Sequence, residues 1–394
     1  MHTLTSRGRT LVVLGAVGIG AGWGLGEPAV TAVAALLLLL PLIGVVIVRR
    51  SRLVLGSSRT VAPSRFPVGS DAEVVLTIEN ASRLASGVLL LQDTVPDNLS
   101  DSARVLLDRV PSQAQRSEHY FVTGLQRGKA RIGPLSVTVT DPFGMATLTR
   151  SFEATNPVIV TPHITPLEAA GRSMSPGGRG DAMFRSMSAR GDDDVLPREH
   201  RAGDDMRRIH WRATARSGDL MVRREEQAWH SSMVVILDNR GQAHVGSGID
   251  SSFEWAVSAA ASVTLHYLEQ GWRVTALTAD GHLLVEASGA AMTDLDDALQ
   301  AFSEVRATAR DLSPTIGAAA EGASALIAVV GALTEEAAIA LHRPSTGFAG
   351  CLLLEHGPAS VLEAHGWRTA SWNRDTSVAA AWSVMAPTGS RAMR

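Results

Sequence analysis

The sequence predicts a multidomain chain: an N-terminal transmembrane helical hairpin, an all-β immunoglobulin-like sandwich, and a C-terminal α/β domain. Three observations predict it: two apolar runs near the N terminus, short alternating runs between residues 60 and 160, and strands alternating with helices after residue 232. The 394 residues, 45% of them hydrophobic, suffice for several cores. The predicted boundaries are 1–52 for the hairpin, 53–164 for the β domain, 165–190 for a linker, and 191–394 for an arginine-rich segment plus the α/β domain.

The hairpin is predicted from apolar runs at about 10–25 and 29–48, each approaching the ~20 residues that a spanning helix needs. The turn between them is Gly26-Glu27-Pro28. Small residues at four-residue spacing predict close approach of the second helix, and these are Gly18 with Gly22 and Gly20 with Gly24.

Arginines at the outer ends of the hairpin predict its orientation. By the positive-inside rule both ends, and everything after residue 52, face the cytoplasm. A cleavable signal peptide is the alternative for the first run, although the second run would still anchor the chain. The arginines are Arg7, Arg9, Arg49, Arg50 and Arg52.

The β domain is predicted from about seven short runs with alternating hydrophobicity and no convincing helix. A barrel remains an alternative to the sandwich. We interpret Asp141-Pro142-Phe143-Gly144 as a turn that specifies the fold. The predicted strands are Val74–Ile78, Val88–Leu91, Val105–Leu107, Tyr120–Val122, Ile132–Val139 and Leu148–Phe152.

The α/β domain begins with the buried strand Ser232–Asp238 and a helix capped by Ser251. Strand Trp272–Thr278 with a hairpin mate His282–Ala287 follows, and Thr293 is predicted to cap the next helix. The alternation then continues and predicts an open parallel sheet with helices on both faces. The remaining elements are strand Ala325–Val330, helix Glu335–Leu341, strand Ala349–Leu354, helix Ser360–His365 and strand Arg368–Trp372.

The arginine-rich segment, Arg198 to Glu226, carries eight arginines and six carboxylates in 29 residues, so it can neutralise itself. Gly203, Asp204 and Asp205 predict a helix start and Ser217-Gly218 its end, with Trp211 packing the helix down. The positive charges can pair with the chain's own acids or with an outside anion or partner. The candidate binding residues are Arg198, Arg201, Arg207, Arg208, Arg212, Arg216 and Arg223; Glu199 and His210 complete the signature.

This run resembles the signature of the bacterial domain of unknown function 58 family, and Arg127-Gly128 with Ile132-Gly133-Pro134-Leu135 extends the resemblance. The resemblance implies a von Willebrand factor A-like domain, a MoxR-type AAA+ ATPase as partner, and a bacterial plasma-membrane location. Von Willebrand factor A-like domains that bind a metal carry an Asp-x-Ser-x-Ser motif that begins at the end of the first strand. Here Arg240 and Gln242 replace both serines after Asp238, so no metal is expected.

The leading hypothesis is a membrane-anchored cytoplasmic scaffold or adaptor, not an enzyme, with no cofactor. A net charge of −3 and a pI near 6.5 argue against general nucleic-acid binding. The second hypothesis is an anionic-ligand or nucleic-acid binding module that uses the same arginines. The third is an enzyme acting on envelope precursors, with Glu199 and His210 as an acid–base pair.

Overall fold

The computed structural model describes residues 2–50, 55–83, 85–100, 104–141, 143–168, 197–199, 211–223, 232–289, 291–312, 323–341, 348–354, 357–373 and 375–385. The chain divides into two compact units, Met1–Pro162 and His163–Arg394. We call them unit 1 and unit 2 and describe each by itself.

Unit 1 begins with a short strand and two long helices: β1 (His2–Leu4), α1 (Ser6–Leu25) and α2 (Pro28–Arg50). Both helices are long and apolar enough to cross a membrane, as predicted. Gly26, with a φ of +68°, ends α1 in the left-handed conformation and turns the chain into α2.

The glycines of α1 divide into two faces. A methyl group added at Gly18 would lie 2.8 Å from Ala34 Cβ, and one at Gly15 would lie 2.7 Å from Leu38 Cγ. Gly22 likewise abuts Thr31, whereas Gly20 and Gly24 have nothing within 4 Å. The prediction that Gly20 and Gly24 allow close approach of the second helix is therefore wrong, whereas that for Gly18 and Gly22 is confirmed. A two-residue step rotates by about 200° on a helix and carries Gly20 and Gly24 to the opposite face.

The rest of unit 1 is β structure in three sheets, with strand orders β1-β10-β9-β5-β6, β2-β4-β7 and β3-β11-β8. Inward residues of all three sheets, such as Leu76, Leu91 and Val158, share one hydrophobic core. Alternating burial along β4 and β9 confirms the predicted periodicity. The strands are β2 (Leu55–Ala62), β3 (Arg65–Pro67), β4 (Asp71–Asn80), β5 (Leu89–Asp93), β6 (Arg104–Leu107), β7 (Ala114–Thr123), β8 (Gly128–Ile132), β9 (Leu135–Thr140), β10 (Ala146–Phe152) and β11 (Asn156–Thr161).

One predicted strand, Ile132–Val139, is two strands in different sheets. Gly133, with a φ of +114°, breaks the run, because that conformation is open to glycine but not to extended L-residues. β8 therefore pairs with β11, while β9 pairs with β10 and β5.

Unit 2 contains a six-stranded sheet of order β16-β15-β14-β17-β18-β19, parallel except for β16. The predicted parallel sheet and the antiparallel hairpin mate are both present. The elements are β12 (Pro197–Glu199), α3 (Trp211–Ser217), β13 (Met221–Arg223), β14 (Ser232–Leu237), α4 (Ser252–Glu269), β15 (Arg273–Thr278), β16 (Leu283–Ser288), α5 (Met292–Glu304), β17 (Ala325–Val330), α6 (Glu335–Leu341), β18 (Phe348–Leu354), α7 (Ala359–Ala364), β19 (Arg368–Trp372) and α8 (Val378–Met385).

Two helices of unit 2 differ from the sequence prediction. Helix α5 begins after Ala291, so Thr293 lies inside its first turn and is not the cap. Helix α8 was not predicted; it lies beyond the last predicted strand, and its Trp382 is fully buried. Cys351, on β18, is buried as predicted, and burial raises the pKa of its thiol.

The core of unit 2 extends to the start of the predicted linker. Leu167 packs into the main cluster, and Ser262 Oγ accepts a hydrogen bond from the Thr165 N–H at 3.0 Å. The indole N–H of Trp382 donates to the Glu168 carbonyl at 3.1 Å. Residues 163–168 are therefore part of this fold, and the remainder of the predicted linker lies outside the described residues.

Candidate functional site

Two short strands near the ends of the arginine-rich segment lie side by side. Strands β12 and β13 pair antiparallel, so Arg198 is opposite Val222 and Glu199 is opposite Met221. The intervening stretch contains helix α3, which starts at Trp211 and includes Arg212 and Arg216. The predicted residues Arg201, Gly203, Asp204, Asp205, Arg207, Arg208 and His210 lie outside the described residues, as does the predicted helix start.

The end of α3 agrees with the prediction. Gly218 has a φ of +84°, and its N–H donates to the Thr214 carbonyl at 3.0 Å. Thr214 Oγ1 then accepts the Met221 N–H at 3.0 Å, which ties the first residue of β13 back to the helix. The short helix and the strand after it therefore form one local structure.

Trp211 is placed differently from the prediction. Its side chain is 71% exposed, so it does not pack the helix down, and that prediction is wrong. Arg216, five residues later, is also exposed. A single sequence shows that an indole can be buried, but only the packing around the helix decides which way it faces. An exposed tryptophan beside arginines is a composition that protein-binding surfaces favour.

A second group of polar residues lies where β14 ends. Asp238 is fully buried. The guanidinium group of Arg240 donates two hydrogen bonds to the Asp238 carboxylate, from Nε to Oδ1 at 2.9 Å and from Nη2 to Oδ2 at 2.8 Å. The backbone N–H groups of Arg240 and Gly331 also donate to this carboxylate, at 3.0 and 3.1 Å. The hydrogen bonds to Asp238 raise the pKa of Arg240.

This arrangement leaves little room for a divalent cation at Asp238. Both carboxylate oxygens already accept from a guanidinium, whose charge repels a metal ion. Among the described residues, no group of three His, Cys, Asp or Glu side chains could hold a metal ion. The residues present at this site therefore do not fit the metal that the Asp-x-Ser-x-Ser loop would hold.

His244 closes the same loop from the other side. Its Nε2 lies 2.8 Å from the Asp238 carbonyl oxygen, and its Nδ1 lies 3.2 Å from Ser252 Oγ. Burial lowers the pKa of His244, so the imidazole is neutral at pH 7. Sequence reasoning did not single out this histidine, because its partners come from two different elements.

A cavity of about 570 Å³ opens beside Asn239 and is lined by Asp280, Asp297 and Glu304 among others. Asn239 Nδ2 donates to Asp280 Oδ1 at 3.2 Å, while Asn239 Oδ1 has no hydrogen-bond partner among the described residues. Burial would raise the pKa of Asp280. Hydrogen bonds from Thr278 and Asn239, together with the charge of Arg310, nevertheless hold the pKa of Asp280 below its usual value.

Comparisons with known proteins bear on unit 2. Residues 197–304 match the family described as "Protein of unknown function DUF58", from the first residue of β12 to the last residue of α5. The match supports the family resemblance over this range. It does not include the helical hairpin or the β strands of unit 1. A search of curated proteins found no match.

Several solved structures are similar to parts of the chain at low identity. The CARDB domain of a Pyrococcus furiosus protein is 18% identical over 27% of this chain and 93% of that chain, with a TM-score of 0.21. The GAE domain of GGA2p from Saccharomyces cerevisiae is 12% identical over 25% and 88%, with a TM-score of 0.19. The cupredoxin domain of amoB from Nitrosocaldus yellowstonii is 8% identical over 30% and 94%, also at 0.19. At these TM-scores the similarities carry no argument about function.

Proposed function

We propose that this chain, which resembles DUF58 proteins over residues 197–304, is a membrane-anchored scaffold that binds a protein partner through helix α3 and its flanking arginines. One observation carries the proposal: Trp211 is 71% exposed at the start of a helix that also bears Arg212 and Arg216. Removing this indole from water is favourable, so a partner that covers it gains binding energy.

Tryptophan and arginine are the residues that most often dominate the binding energy of protein interfaces. The indole supplies apolar area, and the guanidinium group makes paired hydrogen bonds to carboxylates. The segment therefore suits a partner whose surface combines an apolar pocket with acidic residues. A MoxR-type AAA+ ATPase is the partner that the family resemblance implies.

The remaining parts fit this role. The sheet of unit 2 has its first strand, β14, in the middle, and Asp238 directly follows that strand. Both features support a von Willebrand factor A-like domain. Because Arg240 occupies the Asp238 carboxylate, we infer that partner contact is made by side chains of the segment and not through a metal ion. The β strands of unit 1 then form an immunoglobulin-like spacer.

The two apolar helices supply the anchor in this proposal. Arginines at the outer ends of the hairpin favour both ends on the cytoplasmic side of a bacterial plasma membrane. The scaffold would then hold its partner close to the membrane surface.

A crosslinking pull-down from membranes of the native host tests the proposal. The wild type is compared with Trp211→Ala and Arg216→Glu, after circular dichroism has confirmed that each variant folds. Arg116→Glu is the matched control, because Arg116 is an exposed arginine on β7 of unit 1. We expect one defined protein to be recovered with the wild type and the control, and at least about tenfold less of it with Trp211→Ala.

Recovery of the same partners with all four proteins would place the interaction surface elsewhere and overturn the proposal. Salt separates the alternative function, the binding of anionic ligands or nucleic acid. Binding through phosphate contacts weakens steeply between 50 and 200 mM salt, whereas a specific protein interface survives. Loss of the bound material at moderate salt, with nucleic acid in the eluate, would favour that alternative.

A further inference from the structure

The described residues of the loop between β9 and β10, Asp141 and 143–145, contact both helices of the hairpin; we call them the β9–β10 loop. The Thr5 N–H donates to the Met145 carbonyl at 3.0 Å, and Thr5 Oγ1 donates to the Gly144 carbonyl at 2.7 Å. On the other helix, a methyl group at Gly44 would lie 3.1 Å from Asp141 Oδ2. The loop therefore packs against α1 near its start and against α2 near its end.

The register of the two helices shows that these contacts lie at the same position along the axis of the hairpin. Gly22 abuts Thr31, Gly18 abuts Ala34 and Gly15 abuts Leu38. Continuing this antiparallel register to the far end of the hairpin brings Gly8 beside Gly44. Both of these glycines face the loop, since a side chain at Gly8 would overlap the Met145 carbonyl.

This position coincides with the edge of the apolar part of the hairpin. The apolar window of α2 runs from Pro28 to Val46, so Gly44 lies inside it. From Pro28 to Gly44 the helix rises about 25 Å, close to the ~30 Å hydrocarbon thickness of a bilayer. Beyond Gly44, Val48 is only 3% exposed, so protein and not lipid covers this side chain. On α1, the charged residues Arg7 and Arg9 flank Gly8.

Phe143 is the exposed side chain of this loop. Asp141 ties the loop together, because its carboxylate accepts the N–H groups of Phe143, Met145 and Ala146 at 3.0, 2.6 and 2.6 Å. The phenyl ring is nevertheless 52% exposed, and Arg7, also exposed, lies near Gly144. Single exposed apolar residues are common on proteins. Phe143 differs from them because its backbone is hydrogen-bonded to Asp141, whose side chain lies beside Gly44 near the end of the apolar span.

We propose that the β9–β10 loop is a membrane contact of unit 1. In this contact Phe143 inserts at the boundary between lipid headgroups and acyl chains, and Arg7 binds lipid phosphate. Phenylalanine is among the residues that interfacial segments bury at this depth, and arginine is attracted to the phosphate of anionic lipids. Unit 1 would then be held against the bilayer at a fixed angle, through the loop as well as through the hairpin. The inference rests on the proposed membrane anchoring.

Site-directed spin labelling of the full chain tests this contact in vesicles of phosphatidylcholine and phosphatidylglycerol. The chain has one cysteine, Cys351, which is fully buried, so a cysteine introduced elsewhere can be labelled selectively. The label is placed in Phe143→Cys, in Phe121→Cys as the aqueous control and in Val17→Cys as the lipid control. Phe121 is 64% exposed on β7, and Val17 is 65% exposed in α1. Collisions with oxygen and with a water-soluble nickel complex report the depth of each label.

We expect the label at 143 to lie roughly 5–10 Å inside the headgroup boundary, as apolar groups of interfacial segments do. The label at 17 should lie deeper, and the label at 121 should lie in water. Adding Arg7→Glu should move the label at 143 toward water, since the carboxylate repels anionic lipid.

Two results would overturn the inference, and they have different meanings. If the label at 143 is as accessible to nickel as the label at 121, while the label at 17 is in lipid, the loop contact is wrong and the membrane anchor stands. If the label at 17 is also in water, the membrane anchor itself fails, and the loop contact fails with it.

Discussion

Each unit of the chain contains a buried aspartate that forms an ion pair with an arginine, and the two pairs differ in which parts of the chain they connect. In unit 1, Arg59 donates to Asp93, 34 residues away, at 2.8 and 2.6 Å. In unit 2, Arg240 donates to Asp238, two residues away, at 2.9 and 2.8 Å. Both aspartates are fully buried. The chemistry is therefore the same, while the span of chain between the partners is not.

The surroundings of the two arginines follow from that difference. Arg59 Nη1 also donates to the Ile132 carbonyl at 2.8 Å and to Asn156 Oδ1 at 3.2 Å, so the guanidinium joins strands from three sheets. Tyr120 completes the network with a 2.6 Å hydrogen bond to Asp93. Arg240 instead turns back on its own loop and reaches the Ala332 carbonyl at 3.2 Å. The first pair therefore links three sheets of unit 1, whereas the second stabilises a loop at one end of a single sheet.

Removing the long-range arginine should have the largest effect. Arg59→Ala leaves Asp93 buried without its cation, which costs about 3–5 kcal/mol of stability. Hydrogen exchange of the full chain in detergent should show loss of protection across unit 1 and unchanged protection in unit 2. Arg116→Ala, at an exposed position of unit 1, should change stability by less than about 0.5 kcal/mol. Equal loss in both units would contradict the assignment of the network to unit 1 alone.

Removing the local arginine should have a smaller effect. In Arg240→Ala the Asp238 carboxylate keeps its two backbone N–H donors, so we expect a loss of about 1–3 kcal/mol. Urea unfolding followed by tryptophan fluorescence measures it, because Trp23 is the only tryptophan of unit 1 by sequence. A loss as large as that of Arg59→Ala would show that the short-range pair is equally essential to its fold.

Acid should distinguish the two pairs further, because His244 contacts the Asp238 loop directly, whereas no histidine is among the partners of Arg59 and Asp93 given above. Burial lowers the folded-state pKa of His244, so the unfolded chain binds the proton first. Stability of unit 2 should be complete above about pH 6.5 and fall below it, by at most about 1.4 kcal/mol per pH unit for this group. His244→Gln should flatten this dependence. Burial also lowers the pKa of His266, which does not contact the Asp238 loop in any hydrogen bond given above. His266→Gln is therefore the variant with which His244→Gln is compared. An unchanged slope in His244→Gln would refute the role of His244.

The smallest effect is expected from Tyr120→Phe, which removes one hydrogen bond while Asp93 keeps Arg59. We expect a loss of about 1 kcal/mol from unit 1 at pH 7, measured by hydrogen exchange. Burial, followed by the hydrogen bond to Asp93, raises the pKa of Tyr120. The hydroxyl's contribution should therefore be complete below about pH 10 and decline above it, as the unfolded phenol ionises. A loss comparable to that of Arg59→Ala would mean that the phenol, not the guanidinium, holds the network together.

The elements that the sequence predicted well are those with strong local signals. The alternation of Val74, Leu76 and Ile78 placed β4, and the capping box at Ser251 placed the start of α4. The apolar runs marked α1 and α2 with nearly their observed ends. Errors occurred where the local signal was ambiguous. The run Ile132–Val139 carries no charged residue, and only the turn at Gly133 divides it between two sheets.

The candidate site was predicted less completely than the fold. Arg216 and Arg223 were named from their motif, and the structure places them on α3 and β13. Neither the exposure of Trp211 nor the contacts of His244 could be deduced from spacing. Asp238 was identified as the end of the first strand. Its bidentate contact with Arg240 depends on how the loop after β14 turns, and no periodicity reports that.

The sequence by itself determined where the chain is apolar, where it turns, and which residues alternate between the inside and the outside of a sheet. These properties follow from short-range sterics and from the periods of helix and strand, which operate within a few residues. Only the tertiary structure decided that Arg59 meets Asp93, that Gly18 and not Gly20 faces the second helix, and that Trp211 points to solvent. Such contacts depend on which distant segments become neighbours, and burial makes them strong only after the whole unit has assembled around them.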